Sequence, residues 1–410
     1  MHMAAMAATT SAVRGSFRVE HTPTASDTRS RPEEFMKFSV ISNDLSKALS
    51  KIISVVPSKS TLPILENVLC ELVGNELRLT ASDLEISMRV SLPVNGQTDG
   101  VIAIPAKKLN EALHALPSTD LTVLADGSSN RVTLKTDQGE YRMAGESAVN
   151  FPETEAVDTE FSLDLDSPLL RNIVGKTVFA VSSDDLRPSM MGVLFQWKGG
   201  EFRAVSTDGH RLVQVKHMGA LAEAFAQGDR EIIIPAKALN LVLRTMESGA
   251  VTVAFGRTNV RFIFGDMQLV SRIIDERYPN YESVIPQENT KRLDVNRAAM
   301  ISAVKRCSIF SNAVTNQIRF SVSKDGVRVF AEDVDSGGEA KESVAGVFSE
   351  DEDLDIGFNA KYIADALAHL ESDEVAFYFS TATRAGLLRP AQQPEDLDIL
   401  MLVMPLRLNA

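Results

Sequence analysis

Residues 207–212 read Thr-Asp-Gly-His-Arg-Leu, with a carboxylate two positions before an imidazole and three before a guanidinium. Asp208 and His210 have the groups of a general acid–base pair, but no nucleophile motif accompanies them. The competing reading is a hairpin turn, in which Gly209 supplies a positive φ and His210 and Arg211 stand at the tip. Gly175, Lys176 and Thr177 echo the end of a phosphate loop, but its upstream glycine is replaced by Leu170. Residues 333–344 (DVDSGGEAKESV) have calcium-loop spacing but end on Val344, where an acidic ligand is required. Cys70 and Cys307 are far apart and in no metal-binding spacing, which argues against zinc and against a disulfide framework. No metal or cofactor is therefore expected. The acidic run 349–355 (SEDEDLD) reads as a solvated loop. A second distinctive stretch lies at 400–408 (LMLVMPLRL). Methionine-rich surfaces adapt to varied peptides; the plainer alternative is a last buried strand.

These stretches sit on a scaffold that repeats. IPAKKL begins at Ile104, IPAKAL at Ile234 and FNAKYI at Phe358. Three strand-like segments end at Asp83, Asp208 and Asp333, 125 residues apart, with Arg78, Arg203 and Arg328 in step. Phe151-Pro152, Tyr278-Pro279 and Met404-Pro405 recur at intervals of 127 and 126. A period near 126 is a small domain used three times, too long for a solenoid. Each unit reads strand, helix, strands, helix, strands, an α+β pattern. Helices are expected over 43–54, 106–115, 167–178, 236–247, 296–308 and 360–371. Leu45, Leu49, Ile52 and Ile53 share one helical face. Asn43, Ser167 and Asn296 are the expected N-caps, and Pro168 suits a first turn. Ile86, Met88, Val90 and Leu92 alternate as in a half-buried antiparallel strand. Ile-Pro-Ala-Lys then marks the junction from a sheet into the second helix.

The 410 residues carry a formal net charge of −13, which taken whole favours solubility and opposes a nucleic-acid partner. The charge is unevenly spread, however. On the six expected helices stand Lys47, Lys51, Lys107, Lys108, Arg171, Lys176, Lys237, Arg244, Arg297, Lys305, Arg306 and Lys361. Against these twelve are Asp44, Glu111, Glu247, Asp365 and Glu371, so the helices carry +7 and everything else −20. If the helices share one side of the molecule, that side is basic and attracts phosphates without reading bases. With one Trp and 6% aromatics, stacking of single strands is not expected. No apolar run approaches the roughly 20 residues of a bilayer span, and two cysteines suit a reducing, cytoplasmic setting. Residues 1–35 are unpatterned and are expected to form a disordered extension.

Together these residues resemble the bacterial sliding clamp family, the beta subunit of DNA polymerase III. The resemblance spans about 36–408 and rests on Thr-Leu-Pro-Ile-Leu at 61–65, on 207–212, on YPNYESVIP at 278–286 and on the terminal MPLRL. It implies the DNA clamp fold: three repeated domains, 36–157, 158–288 and 289–410, each with two helices packed on antiparallel sheets. Two chains then close head to tail as a homodimeric ring around double-stranded DNA, without catalysis and without a membrane. The DNA-facing residues it implies are the twelve helical cations and Lys59. DNA polymerase III, other polymerases, a clamp loader and repair proteins are the implied partners. They dock short peptides between the second and third domains. The implied pocket is Met190, Thr207, Gly209, His210, Arg211 and Leu212, with Pro279 and Val284 from the linker. Leu402, Met404, Pro405, Leu406 and Arg407 complete it from the chain end. Many relatives carry Arg where this chain has Ser283, and many end at the Leu matching Leu408, before Asn409 and Ala410. Residues 384–398 are longer than their usual counterpart. Two other classes compete: an enzyme using Asp208 and His210, and a three-domain scaffold that binds only proteins.

Overall fold

The computed structural model describes residues 35–153, 157–217, 219, 221 and 228–408. The extension expected at 1–35 lies outside these except for Phe35, which already opens the first strand; Asn409 and Ala410 also lie outside. The first unit holds β1 (Phe35–Ile41), α1 (Ser42–Ile52), β2 (Asn67–Val73), β3 (Glu76–Ser82), β4 (Ile86–Pro93) and β5 (Asn95–Thr98). It continues with β6 (Gly100–Pro105), α2 (Ala106–Ala115), β7 (Asp120–Asp126), β8 (Arg131–Lys135) and β9 (Glu140–Ala144). The second holds β10 (Phe161–Asp166), α3 (Ser167–Thr177), β11 (Gly192–Lys198), β12 (Glu201–Thr207) and β13 (Arg211–His217). It continues with β14 (Arg230–Pro235), α4 (Ala236–Thr245), β15 (Ala250–Phe255), β16 (Asn259–Phe264) and β17 (Met267–Arg272). The third holds β18 (Lys291–Asn296), α5 (Arg297–Ser308), β19 (Gln317–Ser323), β20 (Gly326–Asp333) and β21 (Gly338–Phe348). It closes with β22 (Leu354–Asn359), α6 (Ala360–Ala368), β23 (Glu374–Phe379), β24 (Gly386–Pro390) and β25 (Leu397–Val403).

Among the described residues all strand pairs are antiparallel, and two of the three sheets cross from one unit into the next. The order β10-β15-β16-β17-β4-β3-β2-β6 joins units one and two through β17 and β4. The order β14-β11-β12-β13-β25-β24-β23-β18-β21-β20-β19-β22 joins units two and three through β13 and β25. The remaining sheet, β5-β1-β7-β8-β9, belongs to unit one alone. The two helices of each unit lie side by side and bury their apolar faces on these sheets. Leu45, Leu49 and Ile52 are buried as their spacing predicts. Trp197, the largest buried side chain, sits among Phe161, Phe202 and Phe255 and donates its indole N–H to the Leu221 carbonyl at 2.9 Å.

The strand-to-helix junction falls at the same place in each unit, at Pro105/Ala106, Pro235/Ala236 and Asn359/Ala360. Two expected N-caps are corrected. Asn43 lies inside the first turn of α1, and Ser167 is the first residue of α3. The hydroxyls of Ser42 and Ser167 instead accept from the backbone N–H of Thr119 and Gly249, both at 3.0 Å, pinning each helix start to the strand after its neighbour. Capping of α3 passes to Asp166, while Asn296 caps α5 as expected and Asn359 caps α6. The landmark Met404-Pro405 is also corrected. Isolated bridges tie Glu146 to Ala103, Ile274 to Ile233 and Leu406 to Gly357. Phe151 and Tyr278 come after their bridges and are buried, whereas Met404 precedes its bridge and is exposed. Its place in the period was coincidence. Residues 384–398 form a regular hairpin arm, held by Arg389 to Asp398 at 2.7 Å and by Gln393 bracketing Ile399.

Candidate functional site

β13 and β25 fuse the second and third units, and they carry the two stretches that stood out in the sequence. Leu212 lies opposite Leu402 and Arg211 opposite Val403, and the Met404 N–H donates to the His210 carbonyl at 2.8 Å. Leu212 and Leu402 are buried in one apolar cluster with Val205, Tyr278 and Leu400. This cluster forms a floor, and more exposed groups follow around it. Met404 is 42% exposed just past β25, and Val284 is 52% exposed on the linker turn before Ile285, which packs on the same cluster. Pro279, Gly209 and His210 are exposed, while Pro405 and Leu406 are half-buried; Leu406 donates its N–H to the Gly357 carbonyl. Thr207 is buried and closes the hairpin, donating its hydroxyl to the Arg211 carbonyl at 2.7 Å. Met190 is buried in the 3-10 turn Pro188–Met191. Arg187, just before that turn, reaches the Asp208 carbonyl at 3.4 Å, a neighbour no spacing in the sequence signals. Arg407 is exposed and has no ion pair among the described residues. Ser283 closes its own turn, donating to the Asn280 carbonyl at 2.7 Å. Farther along the same face of β13, Gln214 and Lys216 line a cavity of about 560 Å³. Its cations are engaged: Arg203 with Glu201 and Glu282, Lys216 with Glu201, Arg389 with Asp398.

The Asp208 carboxylate is committed to the turn. One oxygen accepts from the N–H groups of His210 and Arg211, both at 2.9 Å, and the other from the Arg211 guanidinium at 3.0 Å. The His210 ring lies instead parallel to Tyr362 of α6, 6.3 Å away between centroids. Arg211 is the centre of the junction. It also donates to Asp365 at 2.7 Å and to the Phe179 carbonyl at 2.8 Å, and lies over the rings of Phe179 and Tyr362. Phe179 stacks on His369 of the third unit at 3.8 Å. Burial raises the Tyr362 and Tyr278 phenols above the ordinary tyrosine range, so both stay neutral, and Tyr278 donates to the Val205 carbonyl at 3.3 Å.

The helical cations divide into two groups. Lys47, Lys107, Lys108, Lys305 and Lys361 are exposed without ion-pair partners among the described residues, as is Lys59 in the turn after α1. The others are engaged. Lys51 pairs with Asp266 at 2.9 Å and Glu247 at 3.3 Å of the second unit. Partial burial opposes its charge, but those carboxylates outweigh burial and raise its pKa. Lys237 pairs with Asp83, and Arg244 bonds Ser54, again across the first junction. Arg171 donates to the carbonyls of Leu243 and Met246 at the end of α4, and Arg297 to those of Leu367 and Ser372 after α6. These arginines satisfy helix C-termini. Arg306 pairs with Glu342. Lys176 is a correction: it is 3% exposed and paired with Glu371 of the third unit at 3.1 Å, so it presents no charge to solvent. The helices thus form one row in the order α2, α1, α4, α3, α6, α5, touching end to end at both junctions.

Comparison with known proteins matches three consecutive family models of the DNA polymerase III beta subunit: the N-terminal domain over 36–155, the central domain over 164–280 and the C-terminal domain over 282–407. The beta sliding clamp of Vibrio cholerae is 30% identical over 377 residues, 91% of this chain and all of that protein. That of Synechococcus elongatus is 31% identical over 386 residues, 92% of this chain and all of that protein. The sliding clamp of Pseudomonas aeruginosa bound to griselimycin is similar in structure, with a TM-score of 0.84 at 28% identity, covering 91% of this chain and 100% of that chain. A C. crescentus beta sliding clamp gives 0.83 at 26% identity with the same coverage.

Proposed function

Because the chain belongs to the DNA polymerase III beta subunit family, we propose that it is a sliding clamp, a processivity factor that encircles duplex DNA and tethers the replicative polymerase. The observation that carries this reading is the pair of unfinished junctions at the two ends of the helix row. Each internal junction has a strand pair, β17 with β4 or β25 with β13, beside a helix-end contact. One half of a third junction, β9 beside α2, is left at one end; the other half, β21 beside α5, is left at the other. A second copy placed head to tail completes both halves and closes a ring of six units, with domains at 36–157, 158–288 and 289–410. The helix row then lines the hole. Six free lysines per chain face the phosphates there, held by topology and weak charge rather than by base contacts, which permits sliding. Lys51, Lys237 and Arg244 serve the first junction instead, and Arg171, Arg297 and Arg306 support their own units.

The apolar floor at Leu212 and Leu402 is the docking cleft for short peptides of polymerases, repair proteins and the clamp loader, which supplies ATP hydrolysis from its own chain. Peptide Leu and Phe side chains fit such a floor, with the rim fixing orientation. The combined substitutions His210→Ala and Met404→Ala are expected to weaken a clamp-binding peptide by about tenfold or more, the scale of one lost apolar contact. Fluorescence anisotropy with a labelled peptide measures this, and sedimentation should show the dimer unchanged. Unaltered affinity would place the cleft elsewhere. The protein acts in the cytoplasm, where the chromosome lies.

A further inference from the structure

The threefold repeat assigns a register to the third junction. Lys37, Ser162 and Arg292 each stand five residues before the first residue of the first helix in their units. They lie opposite Leu124, Ala254 and Tyr378. These in turn lie opposite Thr133, Arg261 and Leu387, and those opposite Arg142, Val270 and Leu402. Arg142 on β9 therefore corresponds to Val270 on β17 and Leu402 on β25. On the receiving side, Ser87, Leu212 and Glu339 correspond, each lying opposite the matching residue of its hairpin, Ser82, Thr207 or Glu332. At both internal junctions the corresponding residues face each other: Val270 opposite Ser87, and Leu402 opposite Leu212. Among the described residues, the outer edge of β9 is unpaired. So is the outer edge of β21 over its first residues, because β18 meets only its last three.

Resting on the ring reading, we propose that β9 joins β21 of a second copy with Arg142 opposite Glu339 of the partner subunit and Glu140 opposite Lys341 of the partner subunit, and that these charge pairs fix the register. The faces agree with this alignment. Glu140 and Arg142 are exposed on one face of β9 and touch each other; Glu339 and Lys341 are exposed on one face of β21, 4.0 Å apart. Each strand thus offers a minus and a plus two residues apart, and antiparallel pairing at this register sets opposite signs across the seam. Sliding by two residues sets Glu140 against Glu339, or Arg142 against Lys341, and like charges directly opposite are destabilising. Sliding by one turns every side chain to the wrong face. On the other face, Tyr141, 45% exposed, meets Ala340, and Met143 meets Gly338, beside which Phe310 lies.

The test is the dimer dissociation constant by sedimentation velocity on the full chain. Lys341→Glu and Glu140→Lys, made singly, should each raise it at least about tenfold, because a like-charge pair is created at both seams of the ring. The combination of the two should return it to within about threefold of the parent. A Glu140→Lys protein that dimerises more tightly, or a double variant no better than the singles, overturns the register. A parent chain that is a dimer with an unaffected Lys341→Glu variant also overturns it and leaves the ring standing. A parent that is monomeric at tens of micromolar overturns the ring itself.

Discussion

Ile309→Asp combined with Phe310→Asp is expected to turn the dimer into folded monomers. Ile309 is 76% exposed and Phe310 43% exposed in the single chain, directly after α5. Ile309 stands as far past the start of its helix as Phe179 does past the start of α3, and Phe179 stacks on His369 across the second junction. At the ring seam the corresponding contact is the end of α2, around His114 and Leu116. Covering an Ile or Phe contributes about 1.5–3 kcal/mol, and the ring has two seams. Burying carboxylates there costs further free energy. The dissociation constant should therefore rise by about a thousandfold or more. Neither side chain supports the core of its own unit, so the circular dichroism spectrum should match the parent's. A double variant that still sediments as a dimer at low micromolar concentration contradicts this account of the seam.

Arg211→Ala is expected to loosen the second junction by about 2–3 kcal/mol, the scale for leaving partly buried charges without their partner. The guanidinium holds Asp208 of its own hairpin, Asp365 of the next unit and the Phe179 carbonyl, and covers two rings. Removing it leaves Asp208, which is mostly buried, with only backbone donors. Arg211→Lys should recover little, because an ammonium cannot reproduce the planar fork. Urea unfolding should show an earlier transition in both variants. Peptide affinity should fall with it, since the same hairpin carries His210 against Met404. Unchanged unfolding and affinity would show that Arg211 is a bystander.

The fold was legible where the sequence repeats a local physical demand. Apolar spacing placed the helices, and Pro105 and Pro235 placed the junctions into α2 and α4. The candidate site was legible only in part. Residues 207–212 and 400–408 stood out because they break the repeat, and pairing of β13 with β25 brings them together. What stayed hidden depends on partners remote in sequence. Nothing near Lys176 announces that Glu371 will bury its charge, nor near Arg171 that it will meet the end of α4. Ser42 and Ser167 carry the right chemistry for caps, yet their hydroxyls answer to Thr119 and Gly249. The cations of the helix row looked alike in sequence; among the described residues, three-dimensional contact separates five unpaired helical lysines from the cations that hold units together. Nothing local to β9 or β21 announces that they are edges awaiting a second chain, because their mixed charges read in sequence as ordinary solvated strand faces.

The central claim is a closed ring around DNA, and retention on circular against linear templates measures it most directly. The protein is loaded by a clamp loader with ATP onto nicked circular plasmid, and the complex is isolated by gel filtration. Half is then cut once with a restriction enzyme. The account predicts that the clamp stays on the intact circles and slides off the linear molecules within minutes, with little dependence on sequence. Equal retention on both templates, or equal loss from both, would contradict a topological ring.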